Sequence, residues 1–238
     1  MRIRHLIPVL IAAVLVLAGC TGSDGDKGGK GDSDKLAARL ETAKKVLDDA
    51  ETITISLATE KLPQGVTGLL SAKGKGNHSP AFVGKVTVIT GGSSLDADVV
   101  AVDGTVWAKT SFAPVFLTID PKTLKAPDPA SLIATDGGIS QILVKTENLT
   151  EGGKSRDGSD VLTTIKGTLP GTVVRGIIPS ASAGSTFRVT YRLDGDDVLR
   201  DAKLVGKFYP QGGNVTYIVK LDTSETPVKI EPPSRPGQ

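Results

Sequence analysis

Phe187-Arg188-Val189-Thr190-Tyr191-Arg192-Leu193 alternates apolar and polar side chains without a break. A strand projects successive side chains to opposite faces, so this run has one apolar face and one wet face. An antiparallel sheet covered on one side needs that pattern. The same period continues toward the C-terminus. Asp194-Gly195 turns into Val198–Phe208, Gly212-Gly213-Asn214 turns into Val215–Leu221, and Thr226–Ile230 reads as a short edge strand. From Pro232 onward the chain is too proline-rich to join a sheet.

Toward the N-terminus, Pro170 and Pro179 bracket a short helix with Val173, Val174, Ile177 and Ile178 at helical spacing. Val161–Gly167 reads as a strand, and Glu151–Asp160, rich in glycine and charge, as a loop. The strand pattern breaks over Phe112–Thr146, where Asp128-Pro129 opens a short helix (Ala130–Ala134) and Ile139–Lys145 forms another. Five more strands precede it: Thr52–Leu57, Thr67–Gly76, Ala81–Thr90, Leu95–Val102 and Thr105–Thr110. They are separated by turn residues that include Gly91-Gly92-Ser93 and Asp103-Gly104. Ahead of them Leu36, Leu40, Ala43, Leu47 and Ala50 form one stripe of a helix capped by Ser33 or Asp34. Strands in runs with helices segregated between them predict an α+β fold, a curved antiparallel sheet with helices on its apolar face.

Thr21–Ser33 contains no apolar residue beyond glycine and reads as a disordered tether spanning roughly 20 Å. Before it comes Leu17-Ala18-Gly19-Cys20, after Arg2, Arg4, His5 and an apolar run from Leu6 to Ala18 interrupted by Pro8. That run is too short to cross a bilayer comfortably, which takes about 20 apolar residues. Small residues directly before a cysteine at the end of such a segment form a bacterial lipobox. The expectation is therefore a signal peptide over 1–19, acylation at Cys20 and a tether to residue 33. A single domain over 34–231 and a tail over 232–238 follow. An ordinary cleaved secretory signal, with Cys20 incidental, is the alternative. Cys20 is the only cysteine in the 238 residues, which is unusual for an exported chain unless it is modified. The localisation expected is the outer side of the cell membrane, held by a lipid anchor.

The whole chain carries 28 Lys and Arg against 26 Asp and Glu, and loss of Arg2 and Arg4 with the signal would bring the two into balance. No electrostatic footprint for nucleic acid remains. Aromatic residues make up only 4% of the chain, so the core is built from Val, Leu, Ile and Ala. A core of such side chains either packs very regularly or leaves space. Beyond the signal, His78 is the only histidine, in the turn Gly76-Asn77-His78-Ser79-Pro80, where solvent is its expected neighbour. One histidine and no free thiol exclude the usual zinc ligand sets and Cys–His nucleophiles, and no Gly-x-Ser-x-Gly elbow exists. A hydrolase would have to use His78. Asp96 and Asp98 share a strand face, and a solvated outer face explains them more simply than acid–base or calcium chemistry. No catalytic residue, metal site or cofactor is expected.

Several segments, taken in order, resemble the LppX/LprA/LprF/LprG lipoproteins of mycobacteria and related actinobacteria, most of all the LprG members. They are Leu95–Gly104 followed by Trp107-Ala108, Asp128-Pro129-Ala130 with Gly137-Gly138, Glu151-Gly152 with Asp157-Gly158, and Val228–Pro233. The resemblance implies a half-barrel similar to the LolA/LolB carriers, with an apolar cavity between sheet and helices. It also implies a cargo of multi-acyl lipids such as triacylglycerol and phosphatidylinositol mannoside-type glycolipids. A major facilitator superfamily exporter is the implied partner, and the protein is expected to be a monomer. The inward residues expected to line the cavity are Val86 and Val88, then Leu95, Ala97 and Val99. Ile142 and Leu143 join them from the middle helices, and Phe187, Val189 and Tyr191 from the late strand. Ordinary core packing is the alternative at each position. The alternative function is a structural or adaptor lipoprotein that binds no lipid.

Overall fold

A computed structural model describes residues 28–124 and 126–234. Cys20, the segment before it and the end of the tail lie outside the described residues. Helix α1 (Gly28–Asp49) comes first, followed by β1 (Thr52–Ala58), β2 (Gly68–Asn77), β3 (Ala81–Thr90), β4 (Ser93–Val102), β5 (Thr105–Thr110) and β6 (Leu117–Ile119). After a 3-10 turn at Ser131–Ile133 come α2 (Gln141–Val144), β7 (Glu147–Asp157), β8 (Asp160–Pro170) and α3 (Gly171–Ile177). The chain closes with β9 (Thr186–Leu193), β10 (Leu199–Gly206) and β11 (Val215–Ser224).

All 11 strands form one antiparallel sheet in the order β6-β5-β4-β3-β2-β1-β11-β10-β9-β8-β7. Two meanders are thus joined through their terminal strands: β1 pairs with β11 from Thr52 opposite Ser224 to Ala58 opposite Ile218. The outer strands β6 and β7 do not meet, so the sheet is open. The α+β class and antiparallel curvature expected from the alternation are what is observed.

Alternation sets the inner face. Phe187, Val189, Tyr191 and Leu193 are all buried, and their polar neighbours Arg188, Thr190 and Arg192 point outward. Opposite them stand Leu204 and Ala202 on β10, and Leu169 and Ile165 on β8. The α1 stripe Leu36, Leu40, Ala43, Leu47 and Ala50 joins the same core, which also takes in Leu143 of α2 and Val174 of α3. α1 lies against α2 and β7, and α3 against β8 and β9. Arg39 fastens α1 to the β9–β10 turn, donating to Asp197 Oδ1 at 2.5 Å.

Four sequence expectations are corrected. α1 begins at Gly28, not at Ser33 or Asp34, so the stretch expected as tether is helical from Gly28 onward; extending a helix already anchored by packing costs little compared with starting one. Glu151–Asp160 lies mostly in strand β7, not a loop. Most of β7's side chains are exposed, so no apolar period marks it, and its pairing with β8 shifts register twice. Thr226–Ile230 is not a strand. Thr52 Oγ1 donates to Thr226 O at 2.7 Å and Asn77 Nδ2 to Val228 O at 2.9 Å, so side chains hold this segment in place of a ladder. Its Ile230 packs on the outer face against a small cluster of Ala81, Val100 and Val102. The middle helices shrink to the 3-10 turn and the short α2, because segments of one turn gain too few bonds to propagate.

Leu40 is fully buried in the α1 stripe and Leu124 is largely exposed. Leu40→Ala is expected to lower unfolding free energy by about 2–5 kcal/mol in urea denaturation. Leu124→Ala should leave it within about 0.5 kcal/mol of the parent.

Candidate functional site

Residues directly opposite in an antiparallel pair share a sheet face, so the register maps the inner surface row by row. One row runs Leu221, Ile55, Gly74, Gly84, Val99, Ala108 from β11 to β5. The next runs Val219, Leu57, Ala72, Val86, Ala97, and then reaches Thr110. Beyond it Val88 stands between Leu69 and Leu95. Every inward position up to β4 in the last two rows is aliphatic.

Burial falls steadily along the strands. Toward the β2–β3 turn, Ile53, Gly76, Phe82, Ala101 and Val106 are buried beneath Ala130, Ile133 and α1. Toward the β3–β4 turn, Leu57, Ala72, Val86, Val88, Leu95, Ala97 and Val219 are only half-buried. Phe82 marks the boundary between the two zones. Its ring occupies the space above Gly74 and Gly84, where an added Cβ would come within 2.4 and 2.8 Å of ring carbon Cζ. Side chains at either glycine would evict that ring.

The expected lining residues therefore separate into two groups. Val86, Val88, Leu95, Ala97 and Ile142 are half-exposed and border the open strip or the elements beside it. Val99, Leu143, Phe187, Val189 and Tyr191 are buried within the main core cluster. The Phe187 ring meets Phe208 edge-on at 4.9 Å, and that contact fills the space. The Tyr191 hydroxyl donates to Thr146 Oγ1 at 2.8 Å, because the Thr146 proton is used toward Ile142 O at 2.7 Å. Burial pushes the Tyr191 phenol far above its ordinary range, so it stays protonated.

An apolar crevice of about 10 Å³ lies between Leu47, Ile53, Ile133 and Ile139, room for a water molecule at most. A wider groove of about 530 Å³, lined by Asp48, Glu51, Asn77, Ser79 and Lys229 among others, opens beside the end of α1 and is half polar. Neither touches the half-buried strip.

A tyrosine pair, invisible to sequence reading, braces the open end. The Tyr217 hydroxyl donates to Leu69 O at 2.5 Å, the Tyr209 hydroxyl donates to Tyr217 at 2.7 Å, and Leu69 N–H donates to Tyr209 at 3.0 Å. This clamp holds β2 where its pairing with β3 shifts register. At the other end His78 does not face solvent. Its Nδ1 lies 2.7 Å from Ile133 O and its Nε2 3.0 Å from Leu47 O. Both partners are carbonyls, so both contacts are hydrogen bonds together only when each ring nitrogen carries a proton. Leu47 belongs to the last turn of α1, whose carbonyls lack helical partners. His78 thus sits wedged between α1, the 3-10 turn and the β2–β3 turn, each ring nitrogen against a backbone carbonyl.

Asp96 and Asp98 lie on the outer face. Asp98 bridges Lys85 at 3.0 Å and Lys109 at 3.1 Å, and Asp96 Oδ1 accepts from Thr87 Oγ1 at 2.7 Å. Hydrogen bonds from Lys85 and then Lys109 hold the Asp98 carboxyl below the usual carboxylate range. Among the described residues no group of three or more His, Cys, Asp or Glu is placed to hold a metal, and no helix is long and apolar enough to cross a membrane.

Residues 34–232 match the sequence profile of the LppX_LprAFG lipoproteins. The chain belongs to the LppX_LprAFG family. This is a family of lipoproteins and not of enzymes. Named proteins match the chain in sequence and in fold. The lipoarabinomannan carrier protein LprG of Mycobacterium tuberculosis is 27% identical over 212 residues, covering 85% of each chain. LprG of Mycobacterium bovis matches with the same identity and coverage of 27% and 85%. The crystal structure of LprF from Mycobacterium bovis superposes with a TM-score of 0.67 at 15% identity, covering 85% of this chain and 98% of LprF. LppX of Mycobacterium tuberculosis does so with a TM-score of 0.59 at 16% identity, covering 83% of this chain and 99% of LppX. These two structures share the fold of the LppX_LprAFG member described here.

Two measurements check this geometry. His78→Ala removes the ring that spans these two carbonyls and should cost about 1–3 kcal/mol of stability in urea denaturation. Asp98 has a lowered folded value, so its stabilising contribution is present above the ordinary value of 3.8 and is lost as pH falls through the folded one. Asp98→Asn should therefore flatten the acid limb of the stability curve in that range, modestly and less at high salt.

Proposed function

We propose that this protein is a membrane-anchored envelope lipoprotein that binds the acyl chains of a multi-acyl lipid on the half-buried strip and carries them across the aqueous space beyond the membrane. The observation that carries this reading is the register-continuous row Val219, Leu57, Ala72, Val86, Ala97, apolar throughout yet only half covered. At about 4.8 Å per strand the row is about 19 Å wide, comparable to an extended acyl chain. Burying a methylene gains about 0.8 kcal/mol, so an acyl chain of about 16 carbons in water costs roughly 13 kcal/mol. A lipid does not cross an aqueous gap at that cost without a carrier. A strip lined by aliphatic side chains suits a ligand recognised by its tails.

Membership of a lipoprotein family supports the anchor at Cys20, and the carrier named among the relatives supports a lipid cargo. In this reading residues 1–19 are a signal peptide, and the acylated Cys20 and a tether reaching the start of α1 tie the lipid-binding domain to the outer side of the cell membrane. Residues 232–238 are the Pro-rich tail. Triacylglycerol and phosphatidylinositol mannoside-type glycolipids are the cargo proposed, with a major facilitator superfamily exporter as supplier. The protein works as a monomer and needs no cofactor.

Native mass spectrometry of the purified protein tests the reading, which requires a co-purifying acyl lipid. Val86→Trp fills the middle of the strip and should cut lipid loading several-fold without changing the unfolding midpoint. An unloaded protein that also refuses added lipid would instead indicate an adaptor whose apolar face binds none.

A further inference from the structure

Exposed apolar side chains are ordinary when scattered, and informative when they gather. Among the described residues four of the seven exposed large apolar side chains lie in one segment: Phe112 is 87% exposed, Leu124 64%, Leu117 51% and Val115 43%. Phe112 sits on a fixed tip. Thr110 N–H donates to Ala113 O at 3.0 Å and Ala113 N–H to Thr110 Oγ1 at 3.1 Å, closing a tight turn beneath it. Such a turn does not hold a phenyl ring in water for the sake of folding.

The patch continues the strip. Thr110 stands opposite Ala97, at the end of the half-buried row. Leu117 on the edge strand β6 stands opposite Ala108, which puts it on the inner face. The apolar surface therefore runs from the covered core, across Ala97 and Ala108, out to the open edge of the sheet.

Cations border it on the outer face. Lys109 lies 5.1 Å from the centre of the Phe116 ring and shares the single carboxylate of Asp98 with Lys85. Lys85 in turn stands opposite Lys73. With Lys75, four lysines stand on this face of β2–β5 against Asp96 and Asp98, which leaves the flank positive.

We infer that the Phe112 turn and the segment through Leu124 enter the surface of an anionic lipid bilayer and set the open edge of the strip against its acyl layer. Apolar side chains projecting past a lysine border suit a bilayer interface, where the rings sink to the acyl boundary and the ammonium groups meet acidic headgroups. Continuity with the strip gives the contact its purpose, and to that extent the inference rests on the carrier reading. A lipid could pass between bilayer and strip along one unbroken apolar path.

The test uses the full chain with Phe112→Trp, with the emission of the parent's Trp107 subtracted, and vesicles of phosphatidylcholine containing phosphatidylglycerol. The new emission should move to the blue on adding vesicles and lose more than half its intensity when the acyl chains carry bromine. Val161→Trp, also exposed but next to the β7–β8 turn at the opposite edge of the sheet, should do neither. Equal behaviour at the two positions would overturn the inference, as would self-association or protein binding that Phe112→Ser abolishes without any quenching at position 112. Phe112→Ser should slow lipid delivery to acceptor vesicles several-fold while the purified protein keeps its lipid load. A protein that inserts yet carries no lipid defeats the carrier reading alone; one that carries lipid without inserting defeats this inference alone.

Discussion

The pairing of β1 with β11 is the constraint on which the molecule depends. Each meander could form by local hairpins, but each would end in an unpaired strand with an apolar face too small to bury much. Joining Ile55 to Leu221 and Leu57 to Val219 across that seam fuses the two faces into one. The Tyr217 hydroxyl then reaches beyond β1 to Leu69 on β2, so the seam is braced at the open end by hydrogen bonds as well as by the ladder. Contacts between the first and last strands close a very long loop, which makes this step costly in entropy and dependent on both meanders being formed.

With the seam in place, coverage becomes the variable. The helices and the middle segment carry enough apolar surface to seal the region around Phe187, Tyr191 and Phe82, and not the region around Val86 and Ala97. His78 holds the edge of that cover in place, its ring set between two backbone carbonyls from different elements. The result is a gradient along β3 and β4, from solid core to half-open surface, and the functional reading depends on that gradient. The same apolar surface that ends at the strip emerges again at β6, where Leu117 faces inward with little above it.

Much of this was legible from local pattern. The alternation in Phe187–Leu193 identified an inward and an outward face, and the residues expected inward do point inward. The β3 and β5 boundaries fall at the ends set by their turn residues, with Asp103 and Gly104 both at positive φ in the turn between β4 and β5. Strand β7 was illegible because an edge strand exposed on both faces has no apolar period to display. His78 was misread because a histidine in a turn looks solvated unless the two carbonyls that reach it from distant elements are known.

The sequence by itself determined the sheet's period, its hairpins, the α1 stripe and the poverty of catalytic groups, since each follows from neighbours within a few residues. The tertiary structure decided which apolar side chains are packed and which remain open. Tyr191 and Val86 read alike in the chain, as inward residues of alternating strands. Tyr191 is met by the Thr146 hydroxyl from beyond α2 and is fully buried, while Val86 stays half-buried, and only the tertiary packing tells them apart. Alternation specifies the direction of a side chain. What meets it there depends on pairings and packing between segments far apart in the chain.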